Sequence, residues 1–239
     1  MTYVMADIHG NIRRFHSILE QIKLQPEDTL YVLGDVIDRH PDGVQILQEI
    51  MAMPNAKMLL GNHEYMMLKV IAPRGDEMLM YSPRQRWYIN HGQITEKAIM
   101  KLPKEERWAI VQYLRALPLN IDLELNGTQY KLVHAAPVEW YNPYNYDSET
   151  EFAVWHRLPE RIRKTDYVLI HGHTPTMYFQ NDDPLRIWHG DNRIDIDCGS
   201  GFEDGFAKRK IYKPSGRLAC LRLDDMAEFY SEESQDMWI

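Results

Sequence analysis

Apolar runs alternate with amphipathic stretches through the first third of the chain. "TYVMAD" (2–7) is β-rich and mostly apolar, which predicts a buried strand. Asn11 follows as a helix cap, and Ile12, Phe15, Ile18, Leu19 and Ile22 recur on one helical face. "TLYVLGD" (29–35) predicts a second buried strand, after which Pro41 opens a helix with Val44, Leu47 and Ile50 as its stripe. "AKMLLGN" (56–62) predicts a third strand, with a helix from about Glu64. Residues 83–116 carry helical spacing, "NIDLELNGTQYKLVHA" predicts a hairpin turning at Asn126-Gly127, and "YVLIHGH" (167–173) predicts one more buried strand. "LRIWHGDNRIDIDCG" and "GRLACLRLDD" read as a late antiparallel section. Strands alternating with helices predict an α/β protein of stacked layers, its strands at least partly parallel.

No internal repeat, low-complexity block or Pro/Gly/Ser-rich linker interrupts the pattern. A single domain over 1–239 is therefore expected, with an acidic tail from Asp224 free to fray. The chain has 239 residues, 44% hydrophobic and 26% charged, an ordinary globular mix that excludes disordered and collagen-like classes. A formal net charge of -8 argues against sequence-independent nucleic-acid binding, which needs a basic surface. The densest basic cluster, "KRKIYK" (208–213), reads as the solvated end of a strand. Cys198 and Cys220 form no CxxC, so neither a disulfide framework nor a zinc ribbon is expected, and a reduced compartment fits. "MTYVMADIHG" lacks a basic n-region, and no apolar run approaches membrane-spanning length. The expectation is a cytoplasmic protein with no membrane partner.

The chemistry gathers where the apolar runs stop. "ADIHG" supplies Asp7 and His9, "GDVIDR" supplies Asp35, Asp38 and Arg39, and "GNHE" supplies Asn62, His63 and Glu64. "VHAAP" adds His134, and "HGHTP" adds His171 and His173. Ligands of open α/β sheets bind at the carboxyl ends of strands, so these ends would bring acids, imidazoles and an amide into one crevice. His63-Glu64 does not begin a zinc-protease HExxH motif, because Met67 stands where the second histidine is required. Gly10, Gly34, Gly61 and Gly172 flank the polar residues and let the backbone turn beside a crowded site.

The ordered set DxH, GDxxDR, GNHE, VH and GHT resembles the calcineurin-like metallophosphoesterase superfamily. The "GDVIDR" and "GNHE" forms resemble its phosphoprotein phosphatase branch, with its bacterial and phage serine/threonine phosphatases, and the ending "CLRL" (220–223) resembles the bacterial members. The resemblance implies a four-layer αββα sandwich of two mixed sheets flanked by helices, with two divalent metal ions at its edge. Carried over by position, Asp7 and His9 would bind the first ion, Asp35 would bridge both, and Asn62, His134 and His173 would bind the second. His171 competes with His173, and the family's Gly-His-Thr selects His173. Arg39, and Arg157 in "WHR", would hold the phosphate.

A mixed carboxylate, imidazole and amide set suits manganese first, with iron or zinc as alternatives, and disfavours an all-oxygen magnesium or calcium cage. Two such ions about 3.5–4 Å apart can share a hydroxide for in-line attack and clamp the phosphoryl oxygens. His63 would protonate the leaving group, Asp38 would orient His63, and Glu64 would brace the site. Departures from the family pattern fall on the walls: His40, Ala135, Ala136 and His91 stand where glycine is common. His16, His156 and His189 have no expected catalytic part, and Cys198 is expected to pack near the site without acting as a nucleophile.

The leading functional reading is a metal-dependent phosphomonoesterase acting on phosphoserine or phosphothreonine in proteins. A hydrolase of dinucleoside polyphosphates, or of other nucleotide or RNA-end phosphates, is the alternative; that branch tends to lack the second Asp of GDxxDR. A non-enzymatic binding module ranks last, because no ligand is missing. The aromatic stretch "EWYNPYNYD" (139–147) reads first as a loop packed on the sheet and second as a base-stacking surface. Nothing in the sequence sets the oligomeric state.

Overall fold

The structure, a computed structural model, describes residues 1–72, 82–202 and 216–231. Two five-stranded sheets form its centre. The first contains β1 (Thr2–Met5), β2 (Thr29–Val32), β3 (Ala56–Met58), β9 (Ala219–Arg222) and β10 (Ala227–Tyr230), in the order β10-β9-β1-β2-β3. The second contains β4 (Asn120–Leu125), β5 (Thr128–Val133), β6 (Val168–His171), β7 (Trp188–Gly190) and β8 (Arg193–Asp195), in the order β4-β5-β6-β8-β7.

Helices α1 (Ile12–Ile22) and α2 (Gly43–Ala52) are the crossovers that keep β1, β2 and β3 parallel. The Asn11 side chain caps α1 by accepting from the Arg14 N–H at 3.2 Å. α2 begins later than Pro41 suggests, at Gly43 with Asp42 as its N-cap. The hairpin between β4 and β5 turns at Asn126 and Gly127, both left-handed with φ of 52° and 78°.

Strand pleating sorts the apolar residues into layers. Val4, Ala6, Tyr31 and Leu33 face Leu132, Ile170, Ile194 and Ile196 across the space between the sheets. Their neighbours Tyr3, Met5, Leu30 and Val32 face outward, onto Phe15, Ile18, Leu47 and Ile50 of α1 and α2. The other face of the second sheet is covered more thinly. There Val133 and Leu169 pack on Phe152 of α7 (Glu149–Trp155) and on Leu158. The architecture is the sandwich of two mixed sheets flanked by helices that the resemblance implies.

Several elements differ from the sequence reading. The 83–116 stretch is three helices, α4 (Pro83–Ile89), α5 (Gln93–Ile99) and α6 (Lys104–Ala116). α3 (Asn62–Ile71) begins at Asn62, so Asn62, His63 and Glu64 form a helix's first turn rather than a strand end. The late antiparallel section divides between sheets: β7–β8 is a hairpin whose β8 runs parallel to β6, whereas β9 lies antiparallel to β1. The stretch from Asp224, expected to fray, instead turns back and pairs β10 with β9 as far as Tyr230. Residues 232–239 and the basic cluster 208–213 lie outside the described residues. Among the described residues, no helix is long and apolar enough to cross a membrane.

Candidate metal centre

Side chains from both sheets meet around Asp35. The backbone there is unusual: Asp7, His9, Asp35, Asp38, Arg39 and His173 all have left-handed φ, between 52° and 71°. Such values are uncommon outside glycine and cluster at functional sites. Glycine fits where the backbones nearly touch. A Cβ on Gly172 would run into the Asp7 carboxylate, and one on Gly61 would run into Asp35. Glu64 staples the arrangement. Its two oxygens accept the backbone N–H groups of Asp35 (2.9 Å), Val36 (2.8 Å), Ile37 (3.2 Å) and Gly61 (3.2 Å), tying the turn after β2 to the start of α3.

The histidines fall into two kinds. A carbonyl oxygen can only accept, so an imidazole nitrogen bonded to one must carry the proton. His134 Nδ1 donates to Leu33 O at 2.7 Å, leaving Nε2 bare, 2.9 Å from Asn62 Oδ1 and 3.5 Å from Asp35 Oδ1. His173 Nε2 donates to Trp155 O at 3.2 Å, leaving Nδ1 bare, 2.9 Å from the same Asn62 oxygen. His9 Nδ1 donates to Ile37 O at 3.2 Å, and its bare Nε2 lies 3.8 Å from Asp35 Oδ2 and 3.9 Å from Asp7 Oδ1. Three lone pairs therefore point at carboxylate and amide oxygens that are also acceptors. Nitrogen and oxygen donors that converge in this way can ligate cations.

Burial supports the neutral form of these rings. It pushes His134 below its ordinary range and His9 well below it, with Arg39 adding to the effect at His9. His173 is pushed down to about 3 by burial and by His134. Metal ligation requires the neutral ring. His63 is the other kind. Its Nδ1 donates to Asp38 Oδ2 at 2.7 Å, and its Nε2 stands 3.8 Å from Asp35 Oδ2. Burial opposes its charge, but Asp35 and the Asp38 hydrogen bond outweigh burial and raise it.

The carboxylates complete the fit. Asp35 is held below the usual carboxylate range because His134, His63, His9 and His173 together outweigh its burial. Asp7 is pushed well above that range by burial and by the negative charges of Asp197 and Asp35. Concentrated buried negative charge beside bare imidazoles fits divalent cations. Among the described residues, two groups could hold a metal ion, His9–Asp35–His63 and Asp35–His134–His173, both sharing Asp35. In the first, His63 is also hydrogen-bonded to Asp38, and Asp7 Oδ1 lies 3.9 Å from His9 Nε2.

His171 does not join them. Its Nδ1 donates to Gly172 O at 2.9 Å, and its Nε2 accepts from Arg193 Nε at 2.6 Å, so no lone pair is left. The arginines lie at the rim. A Cβ on Gly201 would come within 2.7 Å of the Arg39 side chain and 2.5 Å of His9. Arg157 is exposed, its guanidinium 5.9 Å from the Tyr178 ring, and its charge is felt by His173 and Asp197. His40 turns its Nδ1 back onto His9 O at 3.0 Å, and the Ala135 and Ala136 N–H groups bond Ala153 O in α7. Tyr141 and Tyr146 of the aromatic stretch pack on Phe152, while Tyr144 is exposed. His16 and His189 pair with Glu49 and Glu228 at the surface, His156 stacks on Phe152, and Cys198 is buried between the sheets.

Sequence reasoning passed over several residues of the site. Asp195 and Asp197 are buried; burial pushes Asp195 well up and Asp197 to about 6. The "IDID" alternation resembles a half-exposed strand, and its signal was two acids in a segment with no exposed face. Trp87 and Thr95, both buried, reach Asp38 from α4 and α5.

The calcineurin-like phosphoesterase family profile matches residues 2–199. A symmetrical bis(5'-nucleosyl)-tetraphosphatase of Erwinia tasmaniensis is 38% identical over 76 residues, 31% of this chain and 28% of the relative. The match thus spans little more than a quarter of that protein's length. Among solved structures, a candidate diadenosine tetraphosphatase superposes with a TM-score of 0.62 at 15% identity, covering 96% of this chain and 91% of that one. A cold-active protein-tyrosine phosphatase of a psychrophilic Shewanella superposes with 0.56 at 17% identity, covering 97% and 80%. At such identities the likeness concerns the fold. The chain belongs to the calcineurin-like phosphoesterase family, a family of phosphoester hydrolases.

Proposed function

We propose that the chain is a dinuclear-metal-dependent phosphomonoesterase whose preferred substrates are phosphoserine or phosphothreonine esters. The observation that carries this reading is the division of the histidines: three are backed by a backbone carbonyl, which leaves the other ring nitrogen bare toward the centre, and one is backed by a carboxylate. Asp7, His9 and Asp35 would hold one ion, and Asp35, Asn62, His134 and His173 the other. Manganese suits this donor set, with iron or zinc as alternatives. Bound there, two ions supply Lewis acidity toward a phosphoryl group and make water nucleophilic near neutral pH.

The chain's own residues do the rest. Arg39 and Arg157 bind and orient the phosphoryl oxygens through planar guanidinium forks. His63 carries a proton on Nε2 to the leaving oxygen, and Asp38 holds the ring by Nδ1. A serine alkoxide is a poor leaving group and benefits from such a donor; a nucleoside phosphate leaves readily without one. The His63–Asp38 pair therefore favours alkyl phosphate esters. A second reading, hydrolysis of dinucleoside polyphosphates, is supported by the name of the Erwinia relative. Single-domain organisation and a cytoplasmic location belong to both readings. The test is side-by-side turnover of a phosphoserine peptide and diadenosine tetraphosphate by manganese-loaded protein. Higher kcat/KM on the peptide supports the first reading, and the reverse supports the second.

A further inference from the structure

Asp38, fully buried, receives two side-chain donors on one oxygen. His63 Nδ1 and Trp87 Nε1 each lie 2.7 Å from Oδ2, while Oδ1 has no hydrogen-bond partner. The Asp38 N–H donates to Thr95 Oγ1 at 3.0 Å, fixing a residue whose φ is 71°. A carboxylate rotor is broad and roughly two-fold, so a His–Asp pair held by one bond can swing. A second donor on the same oxygen, with none on the other, pins the carboxylate plane.

That second donor is rigid. Trp87 is completely buried, and the turn between α4 and α5 is shaped around it. A Cβ on Gly92 would overlap the indole, and His91 before it is left-handed, with φ of 66°. Glycine suits the position of His91 for that reason. Deleting the indole N–H would leave Asp38 Oδ2 with one donor in a site closed to water.

We infer that Trp87 is a positioning residue for the proton donor: its indole N–H locks the Asp38 carboxylate, and through it the His63 ring, in the orientation that delivers a proton to the leaving oxygen. The inference rests on the phosphomonoesterase reading. It also gives α4 and α5 a functional role, that of carrying the brace of the proton donor.

Trp87→Phe keeps the ring and removes the donor. With manganese-loaded protein, kcat on a phosphoserine peptide should fall ~10-fold, the scale of one hydrogen bond to a charged group. On 2,4-dinitrophenyl phosphate, whose leaving group needs no proton, kcat should change less than about twofold, because the bond acts only through protonation. KM and metal content should be unchanged. Equal losses on both esters, or no loss on either, would overturn the inference. Wild-type protein inactive on both esters would instead remove the phosphomonoesterase reading, and the inference with it.

A second readout is independent of turnover. Among the indole N–H resonances of the six tryptophans, Asp38→Asn should shift that of Trp87 selectively in a 1H–15N spectrum of the metal-free protein. A Trp87 indole resonance indifferent to Asp38→Asn overturns the inference even if Trp87→Phe fails to fold.

Discussion

His63 and His134 approach the same carboxylate from its two oxygens, at 3.8 Å and 3.5 Å, and both are buried. Their surroundings nevertheless shift their titration in opposite directions, His63 up and His134 down. His134 sits on the second sheet and turns its back nitrogen to the Leu33 carbonyl; His63 sits at the start of α3 and turns its back nitrogen to the Asp38 carboxylate. A carbonyl fixes the tautomer and leaves burial to keep the ring neutral, fit for a metal. A carboxylate favours the charged ring, which on the proposed reading fits it to give up a proton. On the proposed reading, the partner behind the ring, more than the ring's distance from the centre, sets its role.

Substitutions should separate the two regions in a graded way. Asp35→Asn touches both, so turnover should drop to background and bound metal should fall from about two ions per chain; full activity in manganese would break the comparison at its root. His134→Asn should weaken metal binding on its side by at least ~10–100-fold, the scale lost when even an outer partner is removed. A manganese titration of activity would show the shift, with part of the activity recovered at high metal. Asp38→Asn should lower kcat about 10²-fold while elemental analysis finds the metal content unchanged. Metal loss in that variant would place Asp38 in the centre itself.

A further effect, read without turnover, concerns stability of the metal-free protein. His173 titrates at about 3 when folded and at its ordinary 6.5 when unfolded, so the unfolded chain takes up the proton first. Its contribution is present above 6.5 and is lost as pH falls from there toward 3. Wild-type thermal midpoints should therefore decline below pH 6.5 more steeply than those of His173→Asn. Parallel declines would show that His173 is not held neutral by the fold.

The first sheet's half of the site was legible in the sequence because each ligand follows its own strand within a few residues, as Asp7 and His9 follow β1. The placement of Asn62 and His63 on a helix was not. It depends on Glu64 collecting backbone N–H groups from a loop more than twenty residues away. The Gly-His-Thr motif already selected His173 over His171; the physical reason lies in Arg193, which is 22 residues beyond His171 and consumes its lone pair. Trp87 lies in a stretch read only as helical, and packing alone shows its N–H meeting Asp38, 49 positions away. α7 escaped notice because seven residues, capped by Ser148, hold too little period to detect. What stayed hidden, α7 apart, is carried by long-range side-chain bonds, which leave no spacing in the chain.

The most direct test of the division between the histidines is elemental analysis of His63→Asn beside kinetics on a phosphoserine peptide. Metal content should equal wild type and kcat should fall ~10²–10⁴-fold, the range for loss of a general acid. Loss of an ion from His63→Asn would contradict that division and place His63 among the ligands.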